Sequence, residues 1–76
     1  MPTKVLIVED NAEMNRLLEI DLKRRGYEIS TATNGLDGLR MFHEERPNLV
    51  VLDVALPGMD GMTVCQRIRE LSNVPI

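Results

Sequence analysis

A chain of 76 residues holds one small domain, and at that size only about 60% of the unfolded surface is buried on folding, so the core is marginal. Hydrophobic residues make up 43% and charged residues 28%, which sets the chain apart from disordered and membrane classes. A net charge of -3 with dispersed lysines and arginines excludes the dominant basic face of a nucleic-acid binder, and no stretch approaches the ~20 apolar residues of a membrane span.

Val5-Leu6-Ile7-Val8 is a continuous apolar run, consistent with a parallel strand covered on both faces. Glu9-Asp10 ends it, too early and too acidic for a signal peptide. From the N-cap residue Asn11 a helix is predicted to about Arg25, with Met14, Leu17, Leu18 and Leu22 on the inward stripe, Glu13, Arg16, Glu19 and Lys23 opposite, and Gly26 as the stop. Lys23-Arg24-Arg25 are cations in its last turn, where the helix dipole favours them. Tyr27 to Thr31 reads as a short second strand.

Asn34-Gly35 opens a second helix, in which Leu36, Leu39 and Phe42 recur at helical spacing until Arg46-Pro47 forbids continuation. Gly38 costs that helix roughly 1 kcal/mol relative to Ala, which points to close approach of the helix to the sheet. Leu49-Val50-Val51-Leu52 is a second continuous apolar run ending on an acid, Asp53. After the loop Pro57-Gly58-Met59-Asp60-Gly61, a third helix is predicted from Gly61 or Met62 to about Leu71, with Val64, Cys65, Ile68 and Leu71 inward and Gln66, Arg67 and Arg69 outward. Asn73-Val74-Pro75-Ile76 reads as the beginning of a fourth strand. The expected fold is therefore a single α/β domain over residues 1–76, an open parallel sheet built from three βα units plus the start of a fourth strand.

Cys65 is the only cysteine; it cannot form an intramolecular disulfide, which fits a reducing cytoplasm. His43 reads as a solvated residue on the outer side of the second helix. Met14, Met41, Met59 and Met62 read as gap fillers at core or loop-packing positions, and Tyr27 and Phe42 as packing residues rather than a stacking platform for bases.

In a parallel sheet all strands end on one edge, where ligands of open α/β folds bind, so Glu9 and Asp10 converge with Asp53 if their strands are neighbours. Carboxylates ~5 Å apart repel by about 3 kcal/mol per pair at an effective dielectric near 20, and a proton or a cation relieves that repulsion. A hard divalent ion suits the site: Mg²⁺ takes one or two carboxylates and phosphate oxygens and keeps several waters. Asp10 and Asp53 suit direct ligation, Glu9 acts through a bound water, and the backbone carbonyl at about Ala55 can reach the ion.

The segments Val5 to Asn11, Asn34-Gly35 and Pro47 to Gly61, above all Leu52-Asp53-Val54-Ala55-Leu56-Pro57-Gly58-Met59-Asp60-Gly61, resemble the response-regulator receiver family. The resemblance covers essentially the whole chain from Lys4 to Ile76. It implies a flavodoxin-like fold in which Asp53 accepts a phosphoryl group from the phosphohistidine of a sensor histidine kinase, with Mg²⁺ held at Glu9, Asp10 and Asp53. The protein would then be no enzyme beyond its own phosphoryl transfer, which rests on positioning and charge neutralisation. The family's switch hydroxyl follows a fourth strand and its phosphate-pairing lysine a fifth, so this chain reads as the N-terminal portion of a receiver whose switching is impaired.

In the family's strand order 2-1-3-4-5 the third strand becomes an edge, which leads to an expected homodimer or larger assembly through Leu49 to Leu52. A second function class follows from that edge, a receiver fragment that acts only as an assembly or interaction module. Neither nucleic acid nor a membrane is an expected partner of this segment. A third class, the aspartate-nucleophile phosphohydrolases, expects a second acid two residues after the nucleophile, where this chain has Ala55.

Overall fold

The most apolar run of the chain becomes the centre of the sheet. Strand β1 (Lys4–Val8) lies between β2 (Glu28–Ala32) and β3 (Leu49–Leu52), in the order β2-β1-β3 and parallel to both. The computed structural model describes residues 3–52, 61–71 and 75–76. Three helices alternate with the strands: α1 (Ala12–Arg24), α2 (Gly35–Glu45) and α3 (Gly61–Leu71). The predicted α/β architecture and strand order are thus observed, with β2 one residue later than Tyr27 to Thr31.

Both faces of β1 are sealed, with Val5, Leu6, Ile7 and Val8 all buried. Side chains alternate along a strand. Leu6 and Val8 join Ala32, Phe42, Val50, Val64 and Ile68 in the main core under α2 and α3, while Val5 and Ile7 face the layer of α1. A strand with one helix layer on each side needs no polar alternation, which is why its sequence reads as an unbroken apolar run.

Helix α2 sits close to the sheet because of Gly38. A Cβ built there would lie 3.0 Å from both Cγ1 and Cγ2 of Val8, the close approach that the mid-helix glycine implied. The helix starts at Asn34, whose side chain accepts the Asp37 N–H. It ends at Arg46 in a left-handed conformation, φ 49°, with Pro47 following.

Several inward stripes are rotated from their expected positions. On α1 the inward face runs through the buried Asn15 and the half-buried Leu18 and Leu22 at i, i+3 and i+7, so Leu17 is 63% exposed and Met14 is also exposed. The polar Asn15 is drawn inward by hydrogen bonds, which turns the helix by about one residue relative to a purely apolar reading. On α2 the face against the sheet is Gly35, Gly38 and Phe42; because glycines make the approach, Leu36 points away and is 69% exposed. On α3, Val64 and Ile68 are fully buried while Met62 is exposed, so neither Met14 nor Met62 fills a core gap. Cys65 is half-buried; Met59 and the side chain of Leu71 lie outside the described residues.

On the side of β3 away from β1, the Val50 N–H donates to the Pro75 carbonyl at 2.9 Å. The chain therefore meets its own third strand there, and that edge is not bare at its middle. Lys23 pairs with Glu19 and Arg25 with Asp21 across successive turns of α1. Such exposed pairs contribute at most a few tenths of a kcal/mol each.

Candidate functional site

The three strands finish level with one another. Val8, the last residue of β1, is in register with Ala32 on one side and with Leu52 on the other, and each is the last residue of its strand. Each tip gives way to polar residues in the sequence: Glu9, Asp10 and Asn11 after β1, Thr33 and Asn34 after β2, and Asp53 after β3.

The loop after β1 is held by both local and long-range hydrogen bonds. The Glu9 N–H donates to the Ala32 carbonyl at 3.0 Å, extending the β1–β2 ladder one step beyond the strands. The Asn11 N–H donates to Glu9 Oε1 at 3.1 Å, and Asn11 Oδ1 accepts the Met14 N–H at 2.9 Å. Asn11 thereby satisfies one of the orphan amides of α1 and fixes the direction in which the helix leaves the sheet. After β2, Asn34 caps α2 in the same way, its Oδ1 accepting the Asp37 N–H at 2.9 Å and its Nδ2 donating to Asp37 Oδ2 at 3.0 Å.

Glu9 is half-buried and Asp10 exposed. The ion pairs Lys23–Glu19, Arg25–Asp21 and Arg40–Asp37 lie elsewhere. Two adjacent carboxylates at a strand tip thus offer oxygen donors to solvent, and neither takes part in those pairs. Of the expected site residues, Glu9 and Asp10 stand together at the end of β1; Asp53, the Ala55 carbonyl and the loop Pro57 to Asp60 lie outside the described residues.

Asn15 was not among the expected site residues. It is the buried polar side chain of the described residues, 6% exposed, and its Nδ2 donates to the carbonyls of Glu9 at 3.0 Å and Ala32 at 3.1 Å. A signal existed in the sequence, a polar residue at i, i+3 and i+7 with Leu18 and Leu22, but it was outweighed by the larger apolar side chains beside it.

Compared with known families, residues 5–76 match the response regulator receiver domain. The chain belongs to the response regulator receiver family. This receiver is 47% identical over 76 residues to the transcriptional regulatory protein AfsQ1 of Streptomyces coelicolor, covering 100% of the chain and 33% of that protein. It is 51% identical over 73 residues to the probable transcriptional regulator ycf27 of Galdieria sulphuraria, covering 96% of the chain and 29% of the relative.

Among solved structures, the receiver superposes on the CheY-like receiver domain protein from Methanospirillum hungatei with a TM-score of 0.91 at 28% identity, covering 93% of the chain and 57% of the other. For the response regulator protein TrrA from Thermotoga maritima, solved in complex with Mg(2+)-BeF, the TM-score is 0.86 at 38% identity, over 90% of this chain and 59% of that one. The receiver therefore spans about a third of its curated relatives and a little over half of these solved chains. Its fold is flavodoxin-like and its place is in two-component signalling. No helix of the described residues is long and apolar enough to cross a membrane.

Proposed function

We propose that this receiver is a phosphoacceptor in which Asp53 takes a phosphoryl group from the phosphohistidine of a sensor histidine kinase, with Mg²⁺ held by Glu9, Asp10, Asp53 and the Ala55 backbone carbonyl. The observation that carries the reading is the pairing of Val8 with Leu52. Adjacent strands lie about 4.8 Å apart and successive Cα atoms about 3.8 Å apart, so acids that directly follow paired residues start from neighbouring points of one sheet edge. The donor set fits a hard cation: carboxylates and a carbonyl, with Asp10 open to solvent and outside every ion pair of the described residues. The bound ion would neutralise charge on the phosphoryl oxygens.

In the transfer itself, an Asp53 carboxylate oxygen forms the new bond to phosphorus as the phosphorus–nitrogen bond of the phosphohistidine breaks. The electron pair returns to the imidazole. The protein's contribution is placement: the nucleophile directly follows β3 in the sequence, and the Asn11 and Asn15 hydrogen bonds fix the acidic loop at the end of the neighbouring strand β1. Catalysis is confined to this one transfer, the partner is the kinase rather than nucleic acid or a membrane, and the compartment is the cytoplasm. The assembly-module reading has less support, since the Val50 N–H is already taken by Pro75.

Incubation with a small phosphodonor such as acetyl phosphate, followed by intact-mass detection, tests the reading. Addition of a single phosphoryl group that needs Mg²⁺ and disappears in Asp53→Asn is expected. No labelling at all, or labelling that survives Asp53→Asn, refutes the phosphoacceptor assignment.

A further inference from the structure

Asn15 lies on the inner face of α1 and takes no chemical part in the proposed transfer, yet its side-chain donors converge on the acidic loop. Both partners of its amide are carbonyl oxygens, Glu9 at 3.0 Å and Ala32 at 3.1 Å, so the NH₂ end must face them and both N–H groups are used. The Ala32 carbonyl also receives the Glu9 N–H at 3.0 Å. Glu9 is therefore held at both of its backbone groups, its N–H by β2 and its C=O by α1.

The second of those bonds matters most for the acids. The Glu9 carbonyl shares a rigid planar unit with the nitrogen and Cα of Asp10, so fixing its direction fixes where the Asp10 side chain departs. The Glu9 carboxylate is steadied separately, through Oε1 and the Asn11 N–H. An apolar residue at position 15 would fill the space and still pack α1 on the sheet, but it would leave the Glu9 carbonyl without its buried donor. A nearly buried side chain that places both N–H groups on the backbone of the acidic segment does more than hold a helix down.

We propose that Asn15 is a positioning residue: by clamping the Glu9–Asp10 peptide to the tip of β2, it sets the orientation of the two carboxylates and so the affinity of the loop for a divalent cation. The proposal rests on the phosphoacceptor reading, and specifically on a cation binding at Glu9 and Asp10. Outer partners that orient metal ligands typically contribute about 10- to 100-fold in affinity, and an exposed, water-rich Mg²⁺ site belongs at the low end of that range.

The test is an NMR titration with MgCl₂ alone, following the Glu9 and Asp10 backbone amides and the Asn15 side-chain NH₂. In the wild-type chain all three are expected to shift with a common midpoint. Asn15→Leu, which keeps the branching at Cγ and removes the donors, is expected to raise the Mg²⁺ Kd about tenfold, whereas Phe42→Leu, a core change away from the loop, leaves it within twofold. A merely structural Asn15 would lower stability in both variants and affinity in neither, which overturns the proposal. If Asn15→Leu does not fold, the wild-type titration still decides: an Asn15 NH₂ that stays still while Asp10 saturates refutes the clamp. Failure of Glu9 and Asp10 themselves to respond sinks the cation site, and the clamp's role falls with it.

Discussion

Gly38→Ala sets two effects of similar size against each other. In an exposed helix the substitution is worth about 1 kcal/mol in favour of Ala. Here the new methyl would stand 3.0 Å from both branches of Val8, tighter than ordinary carbon contacts of about 3.5–4.0 Å. Val8 has little room to yield: it is fully buried, its backbone is paired on both sides, and rotating its stiff β-branched side chain still leaves one methyl in the way. Overpacking of this kind costs about 1–3 kcal/mol, so the net expectation is a loss of about 1 kcal/mol relative to wild type.

Urea unfolding followed by far-UV circular dichroism measures this as a lower midpoint at unchanged slope. The decisive comparison is the same substitution in a Val8→Ala background. With the branches removed, the propensity gain stands alone and Gly38→Ala should become stabilising by up to about 1 kcal/mol. If Gly38→Ala stabilises the wild-type chain as much as the Val8→Ala chain, the close approach of α2 to β1 is wrong.

Loss of the α2 cap in Asn34→Ala, which removes the acceptor for the Asp37 N–H, should cost about 1 kcal/mol in the same assay; no change would place the helix start elsewhere. Leu17→Gln, at a 63% exposed position, should shift stability by less than about 0.5 kcal/mol, and a loss above about 2 kcal/mol would show that Leu17 packs inward. Self-association through β3, which the Val50–Pro75 hydrogen bond disfavours, would give a dimer or larger species by sedimentation at micromolar concentration; a monomeric mass contradicts it.

The architecture could be read from the sequence because its strongest signals are local. Two apolar runs ending in acids, caps at Asn11 and Asn34, and stops at Gly26 and Arg46-Pro47 each specify an element without help from the rest of the chain. The orientation of the helices was less legible. At Leu17 and Leu36 the apolar side chain loses the inward position to a smaller or polar neighbour, Asn15 or Gly35, whose advantage exists only against the sheet: carbonyls to bond, or a backbone to approach. The acidic pair was readable from its place after β1, whereas Asn15 was not, because its role depends on two carbonyls far apart in sequence, one just after β1 and one at the end of β2.

The sheet's order carries a kinetic consequence. Its middle strand comes first in the chain, and its two neighbours are 24 and 44 residues away, from Lys4↔Glu28 and Val5↔Leu49. Loop closure scales with the logarithm of length, so the longer closure costs only about 0.5 kcal/mol more than the shorter one. A nascent chain can therefore zip β1 to β2 early, but its most hydrophobic segment keeps one flank open until the ribosome has delivered residues 49 to 52. That interval is when the polypeptide is most exposed to aggregation and to chaperone capture.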